Sequence, residues 1–253
     1  MELYNKILKE DERYIPMNTP HADTILYTKY WPMNQWKRQA KETVNKKKFS
    51  PVAYQPQINN YCTMFLDEKM NKNQNMLEIG IGIGTIWFLE RLGHVTSIEY
   101  KNKGQIWYKD NNGKEDNSDF LNYLKKDIDQ RDLMNKYTSH YIETSLAADA
   151  NDGTNNVKKY GNSMEDLFKK MKINNEKFNY ILIDGHWCRD WSCEAIIKYD
   201  LLEKNGLIIL DDYDSLVDTR VAVTYLKKNG FSALEFKKDS LGHETAIFYV
   251  KTQ

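Results

Sequence analysis

The chain has 253 residues, 41% of them hydrophobic, which suits one large domain or one domain with an extension. Lysine plus arginine and aspartate plus glutamate both number 36, so the formal net charge is zero, which argues against a nucleic-acid groove or a membrane surface as the partner. No apolar run approaches the ~18 residues of a membrane span, MELYNKILKEDERY is too charged for a signal peptide, and Cys62, Cys188 and Cys193 are an odd set that reads as thiols of a cytoplasmic protein.

Residues 1–55 form a first unit. TILYTKYWPMNQWKRQAKETVNKKKFSPVAYQP mixes Tyr27, Tyr30, Trp31, Trp36 and Tyr54 with lysines and prolines and lacks the alternation that follows. It suits a lid that excludes water from an acceptor pocket, or a packed extension or contact between copies in a homo-oligomer.

The second unit, 56–253, is regular. INNYCTMFLDEKM predicts a helix, NMLEIG a strand, Thr85–Leu92 a helix and HVTSIEY a strand. Residues 109–156 read as an insertion or lengthened crossover: NNGKEDNSDF as a loop, LNYLKKDIDQRDLMNKY as a helix, NDGTNN as a turn. Then come VKKYGNS as a strand, MEDLFKKM as a helix, FNYILID as a strand, SCEAIIKYDLL as a helix and GLIILDD as a strand. DTRVAVTYLKKNG predicts a helix closed by Gly230, and FSALEF and ETAIFYV predict two strands joined by an LGHE turn. Strands alternating with helices imply an α/β sandwich with a mostly parallel sheet, here ending in an antiparallel C-terminal hairpin.

LEIGIGIGT, Leu77–Thr85, places Gly80, Gly82 and Gly84 where a strand turns into a helix, so the backbone can approach a ligand closely at a helix N-terminus. Such a turn serves nicotinamide dinucleotides as readily as other nucleotides, although the third glycine here follows the second by two residues rather than three. Glu78 precedes the turn, where a carboxylate suits a cationic ligand group, and Glu99 ends the next strand, where an acid accepts ribose hydroxyls. E-x-G-x-G-x-G followed by a strand ending in an acid resembles the first motifs of class I S-adenosylmethionine-dependent methyltransferases. The resemblance implies a Rossmann-like fold and S-adenosylmethionine as cofactor. It places Glu78, Gly80, Gly82 and Gly84, with Thr85 beside them, at the methionine part, Glu99 at the ribose, and Asn162 and Ser163 beside the adenine.

Two strands end in acids. YILIDGHWCRD runs into Asp184 and His186, and LIILDDYD into Asp211 and Asp212. In an open parallel sheet these ends face one crevice, so the three carboxylates converge and repel unless something positive lies between them. Oxygen ligands of this kind suit Mg²⁺, Mn²⁺ or Ca²⁺. Cys188 and Cys193, spaced C-x4-C, are looser than zinc-binding pairs and suit core packing.

IDGHWCRDW is similar to the catechol O-methyltransferase segment, and Asp211-Asp212-Tyr213 followed by Arg220 and RVAVTYL resembles the sugar O-methyltransferases of macrolide and aminocoumarin pathways. The resemblance spans roughly Asn75 to Gly230. It implies that Asp184, Asp211 and Asp212 hold Mg²⁺, that Asp184 also borders the cofactor, and that the ion fixes a hydroxyl of a small molecule, a sugar or nucleotide-linked sugar. His186 is then the base. Where the sugar enzymes have an acid two residues after the first metal aspartate this chain has His186, so base and ligand roles are exchangeable. A nicotinamide-dependent oxidoreductase and a non-catalytic nucleotide-binding protein of the same fold are the other two readings.

Overall fold

The structure, a computed structural model, describes residues 56, 58–82, 84–102, 117–144, 164–185, 189–214, 217–239 and 243–250. They form α1 (Asn60–Lys69), β1 (Asn75–Ile79), α2 (Gly84–Arg91), β2 (His94–Asn102), α3 (Asn117–Gln130), a 3-10 turn (Met134–Lys136) and β3 (Tyr137–Thr144). After these come α4 (residues 164–173), β4 (Phe178–Ile183), α5 (Arg189–Lys198), β5 (Leu202–Asp211), α6 (Val217–Lys228), β6 (Phe231–Phe236) and β7 (Thr245–Val250). The expected cap, residues 1–55, lies outside the described residues, and among those described no helix is long and apolar enough to cross a membrane.

The seven strands pair in the order β3-β2-β1-β4-β5-β7-β6. The first five are mutually parallel, while β7 runs antiparallel to both β5 and β6. This is the Rossmann-like sandwich, mostly parallel with an antiparallel C-terminal hairpin, that the sequence leads one to expect.

Both faces of the sheet are buried, and the period of two sorts each strand's side chains between them. Met76 of β1, Tyr180 and Leu182 of β4, Ile209 of β5 and Ile247 of β7 join one core with α1, α2 and α3 through Phe65, Phe88 and Ile128. Leu77 and Ile79, Ile181 and Ile183, Ile208 and Leu210, and Ala246 and Phe248 join the other with α4, α5 and α6 through Phe168, Ile196 and Leu226. Each fully buried Leu, Ile or Phe contributes about 1.5–3 kcal/mol, so a one-residue slip in a central strand would exchange the two cores and is strongly disfavoured.

The stretch read as an insertion contributes to the sheet. The helix read through Tyr137 ends at Gln130, Asp132 takes a left-handed φ of 56°, and the 3-10 turn leads into β3. YTSHYIET carries little apolar signal because β3 is an edge strand paired with β2 alone, with Tyr137 and Ile142 among its buried residues. VKKYGNS, read as a strand, lies outside the described residues. Gly230 closes α6 as expected, with φ +86°.

Pro56 and Asn59 lie against the ends of several elements. An added Cβ on Gly84 would come within 2.6 Å of Pro56 Cα, so α2 begins in direct contact with this segment. Asn59 then caps α1, its Oδ1 accepting from the backbone N–H of Tyr61 at 3.0 Å, while its Nδ2 donates to the carbonyls of Lys237 (2.7 Å) and His243 (2.9 Å). Glu78, in the middle of β1, is 2% exposed. Ser97 of β2 donates to its Oε2 at 2.6 Å and Thr85 of α2 lies 2.8 Å from the same oxygen. Burial, opposed by these hydroxyls, pushes the Glu78 carboxyl up to about 8.

Two outcomes follow. Gly84→Ala sets a methyl against Pro56 backbone and is expected to lower stability by about 1–3 kcal/mol in denaturant melts, whereas Gly82→Ala, whose added Cβ meets nothing nearer than 3.9 Å, melts like the parent. Glu78 in the folded chain keeps a proton from its ordinary 4.5 up to about 8 that the unfolded chain has released. Its contribution to stability is therefore intact below that window and is lost as pH rises through it. Glu78→Gln is expected to remove this loss, read as a flatter dependence of melting midpoint on pH across the same window; an unchanged slope would show that Glu78 does not hold the proton.

Candidate active site

The glycine turn and the first acid meet directly. Gly80 donates its N–H to the Ile98 carbonyl at 2.9 Å, and Asp184 donates its N–H to the Ile79 carbonyl at 2.9 Å. With φ +102° and with Gly185 N only 2.7 Å from where a Cβ would stand, position 80 admits glycine alone. The C-terminal ends of β1 and β4 thus form one surface, as the crevice rule for open sheets requires.

Within the turn, Glu99 (4% exposed) accepts the Ile81 N–H on Oε2 at 2.8 Å, which braces the loop from inside β2. Glu78 and Thr85, expected at the methionine part of a cofactor, are buried beside the turn. Thr85 Oγ1 is 2.8 Å from both Glu78 Oε2 and the Gly82 carbonyl, so these side chains brace the turn. Gly82 differs from its two neighbours, because an added Cβ there would enter open space. Asn162 and Ser163, expected at the adenine, lie outside the described residues.

Asp184 and Asp211 follow Ile183 and Leu210, which are register partners at the ends of the adjacent parallel strands β4 and β5. Asp211 is 3% exposed and Oδ1 accepts from Thr245 Oγ1 at 2.8 Å. Burial and the facing charge of Asp184 push Asp211 well above the ordinary carboxylate range. The Asp184 side chain is 33% exposed. Burial of its inner part pushes it up to about 6, with Arg189 holding it down from a higher value.

Arg189 is the functional residue that the sequence reading passed over. Its side chain is 2% exposed, and Nε donates to the Gly185 carbonyl at 3.0 Å while Nη1 donates to the Asp211 carbonyl at 2.7 Å. The guanidinium also lies 3.5 Å from Asp184 Oδ1 and 3.3 Å from Asp212 Oδ2. One cation therefore satisfies two strand ends and faces two acids. The available signal was a lone arginine inside IDGHWCRDW, between aromatic residues and next to a converging acid set.

Arg189 stands among the acids, Asp184, Asp211 and Asp212, expected to hold Mg²⁺. Asp212 takes a left-handed φ of 50°, and its carboxyl meets Arg189. Asp184 shares the same guanidinium. Among the described residues no three His, Cys, Asp or Glu side chains gather around a point where a metal ion would sit. The positive charge that separates the acids is an arginine, and the donor set does not fit a three-carboxylate cage. His186, expected as base, and Cys188 lie outside the described residues; Cys193 is buried in the core, where burial pushes its thiol up.

No protein-family profile and no curated protein matches the chain. Similar solved structures include a methyltransferase from Geobacter sulfurreducens, at 10% identity and a TM-score of 0.49, covering 94% of this chain and 100% of that one. A precorrin-6y C5,15-methyltransferase from Geobacter metallireducens is 14% identical with a TM-score of 0.44, covering 75% and 87%. Aeropyrum pernix fibrillarin, solved with natively bound S-adenosyl-L-methionine, is 9% identical with a TM-score of 0.41, covering 70% and 67%. At these identities no partner or substrate of those proteins transfers to this chain, whose fold and site are described by its own residues.

Proposed function

We propose that the chain is an S-adenosylmethionine-dependent methyltransferase that moves a methyl group to a hydroxyl of a small molecule. The observation that carries this reading is the contact between Gly80 and Gly185, which sets the acid pair at the lip of the cofactor turn. A group held over the turn would stand beside the Asp184 carboxyl. Proximity of that kind is what in-line displacement needs.

The cofactor fits the residues present. The space above Gly82 is a cradle that any Cβ would fill, the turn leads into the N-terminus of α2, and Glu99 of β2 stands beside the turn for a ribose. When bound, the cofactor supplies an electrophilic methyl on a sulfonium. Gly80 and Gly82 let the backbone approach it, and Asp184 faces the acceptor side.

A neutral hydroxyl is a poor nucleophile and must lose its proton as it attacks. Asp184, pushed up to about 6, is ionised at neutral pH yet basic enough to take that proton. Arg189 lends it a compensating charge. His186, two residues on, is a second candidate base by its type alone. A sugar or nucleotide-linked sugar is the acceptor class that the sequence resemblance supports. Magnesium, which that resemblance also implies, is not part of the proposal, because Arg189 already neutralises the acids it would join.

Calorimetry with S-adenosylhomocysteine, with NADH as comparator, tests the cofactor. Micromolar binding of the first alone is expected, and Gly82→Ala should weaken it while melting like the parent; preference for NADH would overturn the reading in favour of hydride chemistry. With an acceptor found in a screen of sugars and other alcohols, turnover should rise with pH through about 6 as Asp184 ionises. Asp184→Asn should then lower turnover about 10²–10⁴-fold and far more than it lowers S-adenosylhomocysteine affinity. Turnover should survive EDTA. Loss that Mg²⁺ restores would return an ion to the aspartates.

A further inference from the structure

Thr85 Oγ1 stands at hydrogen-bond length from two acceptors at once. It lies 2.8 Å from the Gly82 carbonyl and 2.8 Å from Glu78 Oε2, and at 0% exposure it meets no bulk water. A hydroxyl has one proton and two lone pairs, and a carbonyl oxygen can only accept. If Glu78 were a carboxylate, the Thr85 proton could serve only one of the two oxygens, and the other would face a lone pair across 2.8 Å. Both contacts are bonds when Oε2 carries a proton: Oε2–H donates to Thr85 Oγ1, and Thr85 Oγ1–H donates to the Gly82 carbonyl. Ser97 donates to the remaining lone pair of the same oxygen at 2.6 Å.

The surroundings keep that proton in place. The titratable groups that face Glu78 are Glu99 in β2, Tyr137 in β3 and Asp184 after β4, and none of these brings positive charge. From α2 and β2 it receives only the neutral hydroxyls of Thr85 and Ser97. A carboxyl removed from water and facing no cation keeps its proton, which agrees with the value of about 8 that burial imposes on it.

We propose that Glu78 is a positioning residue for the glycine turn: as the neutral acid it donates to Thr85, and this frees the Thr85 proton to hold the Gly82 carbonyl. Ionised Glu78 reverses the relay. A carboxylate is a stronger acceptor than a carbonyl, so it draws the Thr85 hydroxyl to itself and leaves Gly82 with the 3.2 Å bond from the Thr85 N–H. The turn then loosens at the residue over which the cofactor cradle opens. That the turn seats S-adenosylmethionine rests on the methyltransferase reading, whereas the relay exists whatever the turn binds. Cofactor affinity is therefore greatest while Glu78 keeps its proton and falls as pH rises through about 8.

The Gly82 carbonyl reports the relay directly. The full chain is labelled with ¹³C at glycine carbonyls, Gly82 is assigned by loss of its signal in Gly82→Ala, and the signal is titrated in the parent, Glu78→Gln, Thr85→Val and Thr85→Ser. In the parent it is expected to move as pH rises through about 8. In Glu78→Gln it is expected to hold the parent's low-pH position, because the amide nitrogen takes the place of the protonated oxygen and goes on donating to Thr85. Thr85→Val should leave it unmoved by pH, and Thr85→Ser, which keeps the hydroxyl, should restore the parent titration. A Gly82 signal that does not move in the parent, or that moves equally in Glu78→Gln, overturns the relay. Circular dichroism checks folding; should the valine variant not fold, the parent and Glu78→Gln titrations decide between these outcomes. S-adenosylhomocysteine calorimetry on the same samples is expected to show an affinity that falls about five- to tenfold more in the parent than in Glu78→Gln across the same window, the scale of one neutral hydrogen bond. An equal fall in both overturns the link to the cofactor. Absence of binding at every pH sinks the methyltransferase reading while leaving the carbonyl titration intact, and binding with an unmoved Gly82 signal sinks the relay alone.

Discussion

The guanidinium of Arg189 holds the candidate site together. It is almost entirely removed from water, donates to the backbone carbonyls of Gly185 and Asp211, and faces the carboxylates of Asp184 and Asp212. A buried cation without such partners is strongly disfavoured, and taking one partner from a buried pair typically costs about 3–5 kcal/mol. The ends of β4 and β5 must therefore stay in register around it. Because Asp184 also donates its N–H to the Ile79 carbonyl, the same constraint reaches β1 and the glycine turn.

The acid pair is built from both sides of this constraint. Arg189 reaches Asp184 and Asp212 from the start of α5, while Thr245 reaches Asp211 from the start of β7. One acid keeps a third of its side chain in contact with solvent and the other is sealed. Two carboxyls at neighbouring strand ends, in unequal environments, is an arrangement that pushes their proton affinities apart. Pro56 and Asn59 bind the halves together, since Pro56 packs on Gly84 of the turn and Asn59 donates to Thr245.

Much of this was legible in the amino-acid string. Apolar runs ending in Asp184 and in Asp211-Asp212, a glycine turn after NMLEI, and two terminal β-rich runs led to a mostly parallel sheet with an antiparallel hairpin and to a crevice at its carboxyl edge, because strand period and crossover geometry are local or nearly local rules. β3 was not legible. An edge strand buries half as much, so YTSHYIET shows no apolar pattern strong enough to separate it from the helix before it. The residue types of Glu78 and Thr85 and their positions in the turn are visible in sequence, whereas the bond between their side chains is not.

The sequence by itself determined which chemistry-bearing residues reach the carboxyl edge of the sheet, since that follows from where apolar strands stop. Only the tertiary structure decided what balances them. Arg189 follows Asp184 by five residues but precedes Asp212 by twenty-three, and Thr245 and Asn59 are 34 and 152 positions from Asp211 in the chain. Such pairings arise only when α5, β7 and the cap of α1 close on one point. A carboxylate's charge partner is chosen by distance in space, through burial that makes an unpaired charge intolerable, and no spacing in the chain encodes that choice.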